Sequence, residues 1–313
     1  MTRAAPRPTI MLTGANGQIG GELVRTLSLL GRVVACTRAE LPLECGNRIR
    51  EVVRELRPQA IVNAAAYTAV DLAEREPERA RLVNGVAPGI LAQEAARCDA
   101  LMVHFSTDYV FDGEKREPYV ESDEPHPLGQ YGWSKLEGER AVAAAEGAYV
   151  TFRTGWIYGA RGRNFLRTIL GLAKERPELR VVDDQVGAPT WSRVVAEAVA
   201  LVLARAQREG TFVLPASACG IHHLTAAGQV SWHGFADAIL SFVPAHAEYA
   251  CRSIVAVSSA EYPTPARRPA YSVLDNGRVD EVFGLRLPQW EAQLAMFFGE
   301  KSEQLAPMVR QGS

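Results

Sequence analysis

The feature that most constrains this chain is a turn with three evenly spaced glycines between an apolar strand and a helix near its start. The run Thr9-Ile10-Met11-Leu12 is followed by Gly14, Gly17 and Gly20, and then by a helical pattern through Leu23. Glycine lets the backbone approach a diphosphate closely, and the start of a helix offers it free N–H groups. A tight turn that binds nothing would also need glycine, but the strand before it and the helix after it favour a dinucleotide-binding turn.

Strand and helix patterns alternate along the first half of the chain. Apolar runs predict further strands over 31–36, 60–63, 101–105 and 148–152, with helices over 49–56 and through Ala80, Val83 and Ile90 between them. This alternation predicts an α/β fold with a doubly wound parallel sheet of the Rossmann-like kind. We assign 1–158 to a dinucleotide-binding domain, joined by a returning helix near 192–206, and 159–313 mainly to a smaller C-terminal substrate-binding domain.

The end of the second strand bears on the choice of cofactor. An acidic residue there would hold the ribose 2′-hydroxyl of NAD, whereas this chain has Thr37 and Arg38. A guanidinium suits a 2′-phosphate, so Arg38 favours NADPH, although NADH stays possible. After the third strand, the small side chains of Ala65 and Ala66, followed by Tyr67, would allow a cofactor close contact, or they would serve plain helix–strand packing.

A tyrosine and a lysine four residues apart carry the predicted chemistry. Tyr131 and Lys135 lie in a helical pattern, so their side chains share one face a turn apart. An ammonium beside a phenol favours the phenolate, so we expect the pKa of Tyr131 to lie below its usual value of about 10, which would let it protonate a carbonyl oxygen near neutral pH. Thr107 ends the fourth strand, where its hydroxyl could bond the same oxygen. Because tyrosine and lysine are ordinary helix-surface residues, the pair gains its weight from the glycine turn.

Composition argues against several kinds of partner. With 34 Lys and Arg against 36 Asp and Glu, the formal charge is −2, so no basic field attracts nucleic acid or an anionic membrane. The apolar runs are too short to span a bilayer, and residues 1–8 lack the apolar core of a secretory signal. Five scattered cysteines without a Cys-x-x-Cys pair fit reduced thiols, and the adjacent His222 and His223 would point to opposite faces if they lay on a strand, which disfavours a metal site. We expect a soluble cytoplasmic protein with no nucleic-acid or membrane partner.

Beyond residue 152 the alternation is less regular. We predict a helix that begins within 161–165, a strand over 179–182, a helix capped by Ser231 whose aromatics recur at the spacing of a packed face, a last helix that opens within 287–291, and a loose tail from 301. Residues 211–219 are extra length, for which a loop or an added strand is expected. Pro263 and Pro265, with Pro269 directly after, exclude an ordinary helix over 262–268, where Arg267 and Arg268 could clamp a diphosphate or form a solvated basic turn.

Several stretches together carry a resemblance to a known family. They are 14–20, 62–71, 106–111, 152–158, 183–190 and 262–269, and they run through nearly the whole chain. On these motifs the chain resembles the extended short-chain dehydrogenases/reductases and, within them, the dTDP-4-dehydrorhamnose reductase family. The resemblance implies that NADPH reduces the C4 ketone of a dTDP-4-dehydro-6-deoxy sugar, from dTDP-4-dehydro-L-rhamnose to dTDP-L-rhamnose. The alternatives are a reductase or epimerase of another nucleotide sugar, and a non-catalytic regulatory subunit similar to that of methionine adenosyltransferase, against which the joint presence of Thr107, Tyr131 and Lys135 argues.

The resemblance also implies roles for individual residues. Tyr131 would donate the proton, Lys135 would tune it and contact the cofactor ribose, and Thr107 would be the catalytic threonine. Together with the residues argued above, the expected cofactor contacts are Gly14, Gly17, Gln18, Ile19, Gly20, Arg38, Leu43, Ala65, Ala66, Tyr67, Tyr131 and Lys135. The expected substrate contacts are Thr107, Asp108, Tyr109, Trp156, Arg267 and Arg268. Where relatives often have an acidic residue after the second strand, this chain has Pro42.

A metal site is not expected. Some relatives hold magnesium at a dimer contact through three glutamates, and Glu22 and Glu291 resemble two of them. The third position is Arg193 in this chain, so we predict that no metal binds there. The expected assembly is a monomer or a homodimer.

Overall fold

A six-stranded parallel sheet forms the centre of the structure. The computed structural model describes residues 7–243 and 249–305, without the side chains of 301–305. The strands longer than two residues are β1 (Thr9–Thr13), β2 (Arg32–Cys36), β3 (Ala60–Asn63), β4 (Leu101–Thr107), β5 (Tyr149–Thr154), β6 (Glu178–Val182), β7 (Gly220–His223) and β8 (Ser253–Val257). The sheet order is β7-β5-β4-β3-β1-β2, with every neighbouring pair parallel. Because the order reverses between β1 and β3, the carboxyl ends of these strands form a switch point, where open α/β sheets bind ligands.

Helices cover both faces of this sheet. They are α1 (Gln18–Leu27), α2 (Gly46–Leu56), α3 (Val70–Ala73), α4 (Pro77–Arg81), α5 (Ala87–Arg97), α6 (Gln130–Ala143), α7 (Phe165–Glu175), α8 (Ser192–Ala206), α9 (Trp232–Ser241), α10 (Gly277–Phe283) and α11 (Trp290–Leu305). Alternate residues of β1 point to opposite faces. Ile10 and Leu12 pack in the core cluster of α1 and α8, whereas Met11 packs in that of α2 and α5. Helix α8, which lies where the returning helix was predicted, packs against α1.

The predicted doubly wound sheet is confirmed, and it has one strand more than predicted. All five predicted strands are present, but β7, at the edge beside β5, was not expected. Its residues His222 and His223 are both fully buried, and their rings hydrogen-bond the backbone carbonyls of Ala218 and Asp275. Two polar imidazoles interrupt the apolar pattern by which a buried strand is identified in a sequence.

A third group of buried side chains lies in the part predicted to bind substrate. It joins α7, α9 and α11 to β6 through Leu166, Phe235 and Trp290 among others. Strand β8 pairs in parallel with β6, and two-residue strands pair Ile157–Tyr158 with Thr190–Trp191, Val186–Gly187 with Val230–Ser231, and Gln207–Arg208 with Thr211–Phe212. We keep the domain boundary near residue 158 as a proposal, with β7 and α10 returning to the first domain's core.

Helix ends follow local capping. The side chain of Asn164 accepts a hydrogen bond from the Arg167 N–H at the start of α7, and Ser231 caps α9 as predicted. The stretch predicted as helix through Ala80 and Ile90 contains α4 and α5, joined by a π-helical turn over Leu82–Val86. The extra length at 211–219 forms a short strand and a 3₁₀ turn. Helix α11 extends to Leu305, so the predicted tail is helical over 301–305, and 306–313 lie outside the described residues.

Two structural observations concern the expected cellular compartment. Every helix within residues 7–243 and 249–305 is too short or too polar to span a lipid bilayer. The five cysteines are all free thiols.

Candidate active site

The glycine turn lies at the switch point between β1 and β3. Gly14 has a φ of 72°, and a Cβ there would lie 2.5 Å from the backbone nitrogen of Ala65. A Cβ on Gly20 would overlap the Gly14 carbonyl, so Gly20 is a packing residue beneath the turn. The start of α1 at Gly17 has no side-chain cap, which leaves its first N–H groups available to an anion.

The predicted cofactor residues line two neighbouring cavities. Gly14, Gly17, Gln18, Ile19, Ala65 and Ala66 line a cleft of about 710 Å³ that also contains Tyr131 and Lys135. A neighbouring hollow extends from Gly14 to the end of β2 and is lined by Arg38, Leu43 and Tyr67. The structure therefore brings every predicted cofactor residue except Gly20 to these two cavities.

Two charged residues at the hollow beside the end of β2, Glu44 and Arg79, were not predicted from the sequence. The Arg38 guanidinium donates to Glu44 at 2.5 Å, and Arg79 of α4 lies 3.5 Å from the same carboxylate. Arg79 also lies over the Tyr67 ring, with its guanidinium carbon 5.7 Å from the ring centre. Arg38 and Glu44 therefore line this hollow, and Arg79 lies beside it in contact with Glu44 and Tyr67.

Helix α6 presents Tyr131 and Lys135 to the main cleft. The helix starts where the Glu74 carboxylate accepts a hydrogen bond from the Gln130 N–H at 2.8 Å, a favourable position for an anion at a helix N-terminus. The Lys135 side chain is 2% exposed, and its ammonium donates to the Phe105 carbonyl at 2.5 Å. Burial lowers the pKa of Lys135 to about 8, opposed by the negative charge of Glu139.

The expected lowering of the Tyr131 pKa is wrong for this structure. Burial raises the pKa of Tyr131 to about 12, and the hydrogen bond with the Thr107 side chain only partly offsets it. Lys135 does not lower the pKa of Tyr131 in this structure, and its ammonium bonds the Phe105 carbonyl. The phenol is consequently protonated throughout the neutral range, the form that a proton donor needs.

Thr107 joins the phenol to a buried carboxyl group. Its hydroxyl donates to Asp108 at 3.0 Å and accepts from the Tyr109 N–H at 3.2 Å, which caps a short 3₁₀ turn. Asp108 is 3% exposed, and burial raises its pKa to about 6 against the hydrogen bonds it receives. The ring of Tyr109 packs edge-on to that of Tyr131.

A second residue missed in the sequence connects the two sides of the cleft. Asn84 lies in the π-helical turn before α5 and is 1% exposed. Its amide bonds both the N–H and the carbonyl of Tyr67, and also the Ser134 hydroxyl on α6. A π-helical turn re-aims a side chain that a regular helix would point elsewhere, and such turns are frequent at functional sites.

Aromatic side chains line the opposite wall of the main cleft. Trp156, at a φ of 51°, stacks in parallel on Trp232, with ring centres 3.3 Å apart. Trp232 and Phe165 line both the main cleft and a further cavity that contains Arg267 and Arg268. The helical spacing of Trp232 predicted core packing, but its position in this wall shows that the indole borders the site as well.

The two adjacent arginines have different surroundings. Arg268 is partly buried, forms an ion pair with Asp71 at 2.8 Å and also bonds Tyr109. Arg267 is exposed, with no hydrogen-bond or ion-pair partner among the described residues. Arg268 is thus a structural tie between the 262–268 loop and α3, and Arg267 is the guanidinium available to an anionic group.

Arg193 forms ion pairs at the position where some relatives were expected to hold magnesium and this chain was not. The Arg193 guanidinium donates to Glu22 at 3.2 Å and also to Glu300. Within the described part of the chain, no cluster of three or more His, Cys, Asp or Glu side chains could hold a metal ion. Of the two glutamates named above for such a site, Glu22 is therefore paired with the Arg193 guanidinium.

Comparison with known proteins agrees with this geometry. The family model for the RmlD substrate binding domain matches residues 8–302. A dTDP-4-dehydrorhamnose reductase of Burkholderia thailandensis is 51% identical over 287 residues, which cover 90% of this chain and 95% of that protein. The enzyme of the same name from Escherichia coli K12 is 39% identical over 297 residues, covering 93% and 97%. The crystal structure of the Bacillus anthracis dTDP-4-dehydrorhamnose reductase in complex with NADP is 32% identical, with a TM-score of 0.85 over 94% of this chain and 99% of that one. The resemblance found in the motifs is confirmed, and the chain belongs to the RmlD substrate binding domain family.

Proposed function

We propose that this chain reduces the C4 ketone of dTDP-4-dehydro-L-rhamnose with NADPH. The observation that carries the proposal is the joint presence of Thr107, Tyr131 and Lys135 in the cleft that the glycine turn opens into. The reductase relatives and the NADP complex of a solved relative support the reaction and the cofactor.

The residues present fit a dinucleotide. The space beside Gly14 is one that any Cβ would close, and the uncapped start of α1 offers N–H groups to a diphosphate. Arg38 would face the 2′-phosphate, with Arg79 nearby on the same Glu44 carboxylate, and Lys135 would contact the ribose near the reacting end. When bound, the reduced nicotinamide supplies the hydride.

The chain's own residues position the sugar and supply the proton. Tyr131, protonated because burial raises its pKa to about 12, donates its proton to the sugar oxygen as charge develops there. Thr107 orients the same oxygen, and its hydrogen bond with Tyr131 stabilises the phenolate that results. Trp156 and Trp232 exclude water from one side, and Arg267 holds the diphosphate of the substrate.

A turnover assay tests this proposal. Purified chain is mixed with dTDP-4-dehydro-L-rhamnose and NADPH, the absorbance of the reduced nicotinamide is followed, and the product is identified by NMR. We expect stoichiometric NADPH oxidation and dTDP-L-rhamnose. An epimerised ketone without NADPH oxidation, or no turnover at all, would contradict the proposal.

A further inference from the structure

We propose that the buried pair Glu139–Arg153 is the positioning element of the catalytic centre, because it joins α6, which carries Tyr131 and Lys135, to the segment after β4. The inference rests on the proposed function, since it assigns a role to residues behind that site. Neither residue lines the cleft, so both would act through Lys135, Tyr131 and Thr107.

The pair is a two-bond contact inside the protein. The Arg153 guanidinium donates from Nε to one oxygen of Glu139 at 2.9 Å and from Nη2 to the other at 2.7 Å. Both side chains are 2% exposed. Such a forked contact fixes the relative orientation of its two partners better than a single bond does.

One guanidinium thereby spans the two segments that carry the proposed catalytic residues. Glu139 lies one helical turn after Lys135 on α6, on the same buried face. On its other side, the guanidinium carbon of Arg153 lies 5.0 Å from the ring centre of Phe111, which directly follows the 3₁₀ turn after Thr107. A change in the pair would move α6 and Thr107 relative to each other.

Stability alone does not account for a pair of this kind. Removing two charges from water is costly, and a well-packed apolar pair often holds two elements together equally well or better. A buried ion pair instead adds a fixed direction and a local charge. The charge matters here because Lys135 is itself buried and its ammonium has a carbonyl, not a carboxylate, as hydrogen-bond partner.

The other titratable groups around Lys135 and the pair do not replace Glu139. His104 of β4 is fully buried, and burial and the charge of Lys135 keep its pKa well below the usual value, so it is neutral. Burial lowers the pKa of His223 on β7, beside Arg153, to about 3. Glu121 bonds the His223 N–H on the far side of Arg153, and Asp108 is bonded to Thr107. The negative charge of Glu139 raises the pKa of Lys135 against the effect of burial.

Four variants separate charge from packing. Glu139→Gln removes the charge but keeps the shape, Arg153→Lys keeps the charge but loses the fork, and the double variant Glu139→Gln/Arg153→Met leaves no unpaired buried charge. Glu94→Gln is the matched control, because Glu94 is 3% exposed and receives two bonds from Arg54, at 2.8 and 2.7 Å, away from the cleft. The readouts are the melting temperature, the pH profile of kcat/KM, and the pH dependence of NADPH binding followed by its fluorescence.

The sign of the expected shift follows from the charges. Burial already lowers the pKa of Lys135 to about 8, and loss of the Glu139 charge lowers it further. The alkaline limb of kcat/KM and of NADPH binding should therefore move to lower pH, by about one unit in Glu139→Gln and by less in the double variant, which also loses the positive charge of Arg153. Arg153→Lys should keep the limb in place but lower kcat, while Glu94→Gln should lower only the melting temperature.

Specific results would overturn the inference. If folded Glu139→Gln keeps the wild-type limb, or if Glu94→Gln shifts it equally, the pair has no specific role at the site. Should Glu139→Gln fail to fold, the double variant decides by the same criterion. A wild-type chain that does not oxidise NADPH with the keto sugar would contradict the proposed function instead, and the NADPH-binding profile would still decide the role of the pair.

Discussion

The two ends of the cofactor cleft are built differently. At the catalytic end, Thr107 is 5% exposed and Lys135 is 2% exposed, and both bond to groups that are themselves buried. At the end beside β2, the side chains of Arg38 and Arg79 are 70% and 44% exposed, and both share Glu44. The catalytic end therefore lies in the protein interior, and the end beside β2 lies at the surface.

From this difference in burial we infer that the buried end positions the reacting groups and the exposed end selects the cofactor. A buried group has few alternative partners, so its geometry exists before the substrate arrives, which is the condition for electrostatic catalysis. Exposed ion pairs contribute little to stability and are screened by salt, so their arginines can exchange a carboxylate for a phosphate at low cost. Substitutions at the buried end should therefore change kcat strongly, and those at the exposed end should change cofactor preference moderately.

The largest effect is expected for Tyr131→Phe. Loss of the phenolic proton should lower kcat about 100- to 10,000-fold, the usual contribution of a general acid. NADPH binding, followed by fluorescence, should stay near that of the wild type, because the ring and its edge-on contact with Tyr109 remain. Turnover of this variant at the wild-type rate would show that another group supplies the proton.

Thr107→Val should have the next largest effect. The substitution keeps the shape but removes the bonds to Tyr131 and Asp108 and the acceptor for the Tyr109 N–H. We expect kcat to fall about 10- to 100-fold, the value of one hydrogen bond to a charged group. Thr107→Ser, which keeps the hydroxyl, is the control, and an equal loss in both variants would indicate a packing effect.

Local patterns were enough to predict most of the fold. The strand, glycine turn and helix at 9–27 are specified by neighbouring residues, and so are the N-cap at Ser231 and the position of Tyr131 and Lys135 on one helix face. These features depend on periods of two and 3.6 residues and on backbone requirements that a short window contains. Strand β7 is the exception, because its burial comes from partners elsewhere in the chain.

What could not be predicted depends on contacts between distant segments. Arg153 pairs with Glu139 of another element, and Asn84 reaches Tyr67 and Ser134 only because a π-helical turn aims it there. The direction of the Tyr131 pKa shift is of the same kind. The spacing correctly placed Lys135 on the same helix face as Tyr131. Burial nevertheless raises the pKa of Tyr131, and the Lys135 ammonium bonds the Phe105 carbonyl.

At the exposed end, Arg38→Ala tests cofactor selection. Loss of one guanidinium should raise the KM for NADPH about tenfold and leave that for NADH nearly unchanged, since only the former carries a 2′-phosphate. Steady-state rates with each reduced cofactor measure this directly. A clear NADH preference in the wild type that Arg38→Ala leaves unchanged would remove Arg38 from the selecting residues.

The smallest effect is expected for Glu44→Gln, and this variant tests most directly whether the two ends of the cleft differ. The Glu44 carboxylate accepts from Arg38 at 2.5 Å and lies 3.5 Å from Arg79, so a 2′-phosphate must compete with it. If the exposed end is exchangeable, removing that charge should lower the KM for NADPH about threefold, more at low salt than at high salt, with no change for NADH. Glu78→Gln, at an exposed glutamate paired with Arg81, is the control. A higher KM for NADPH would mean that Glu44 orients Arg38 for the phosphate, and the exposed end would then be preorganised in the same way as the buried one.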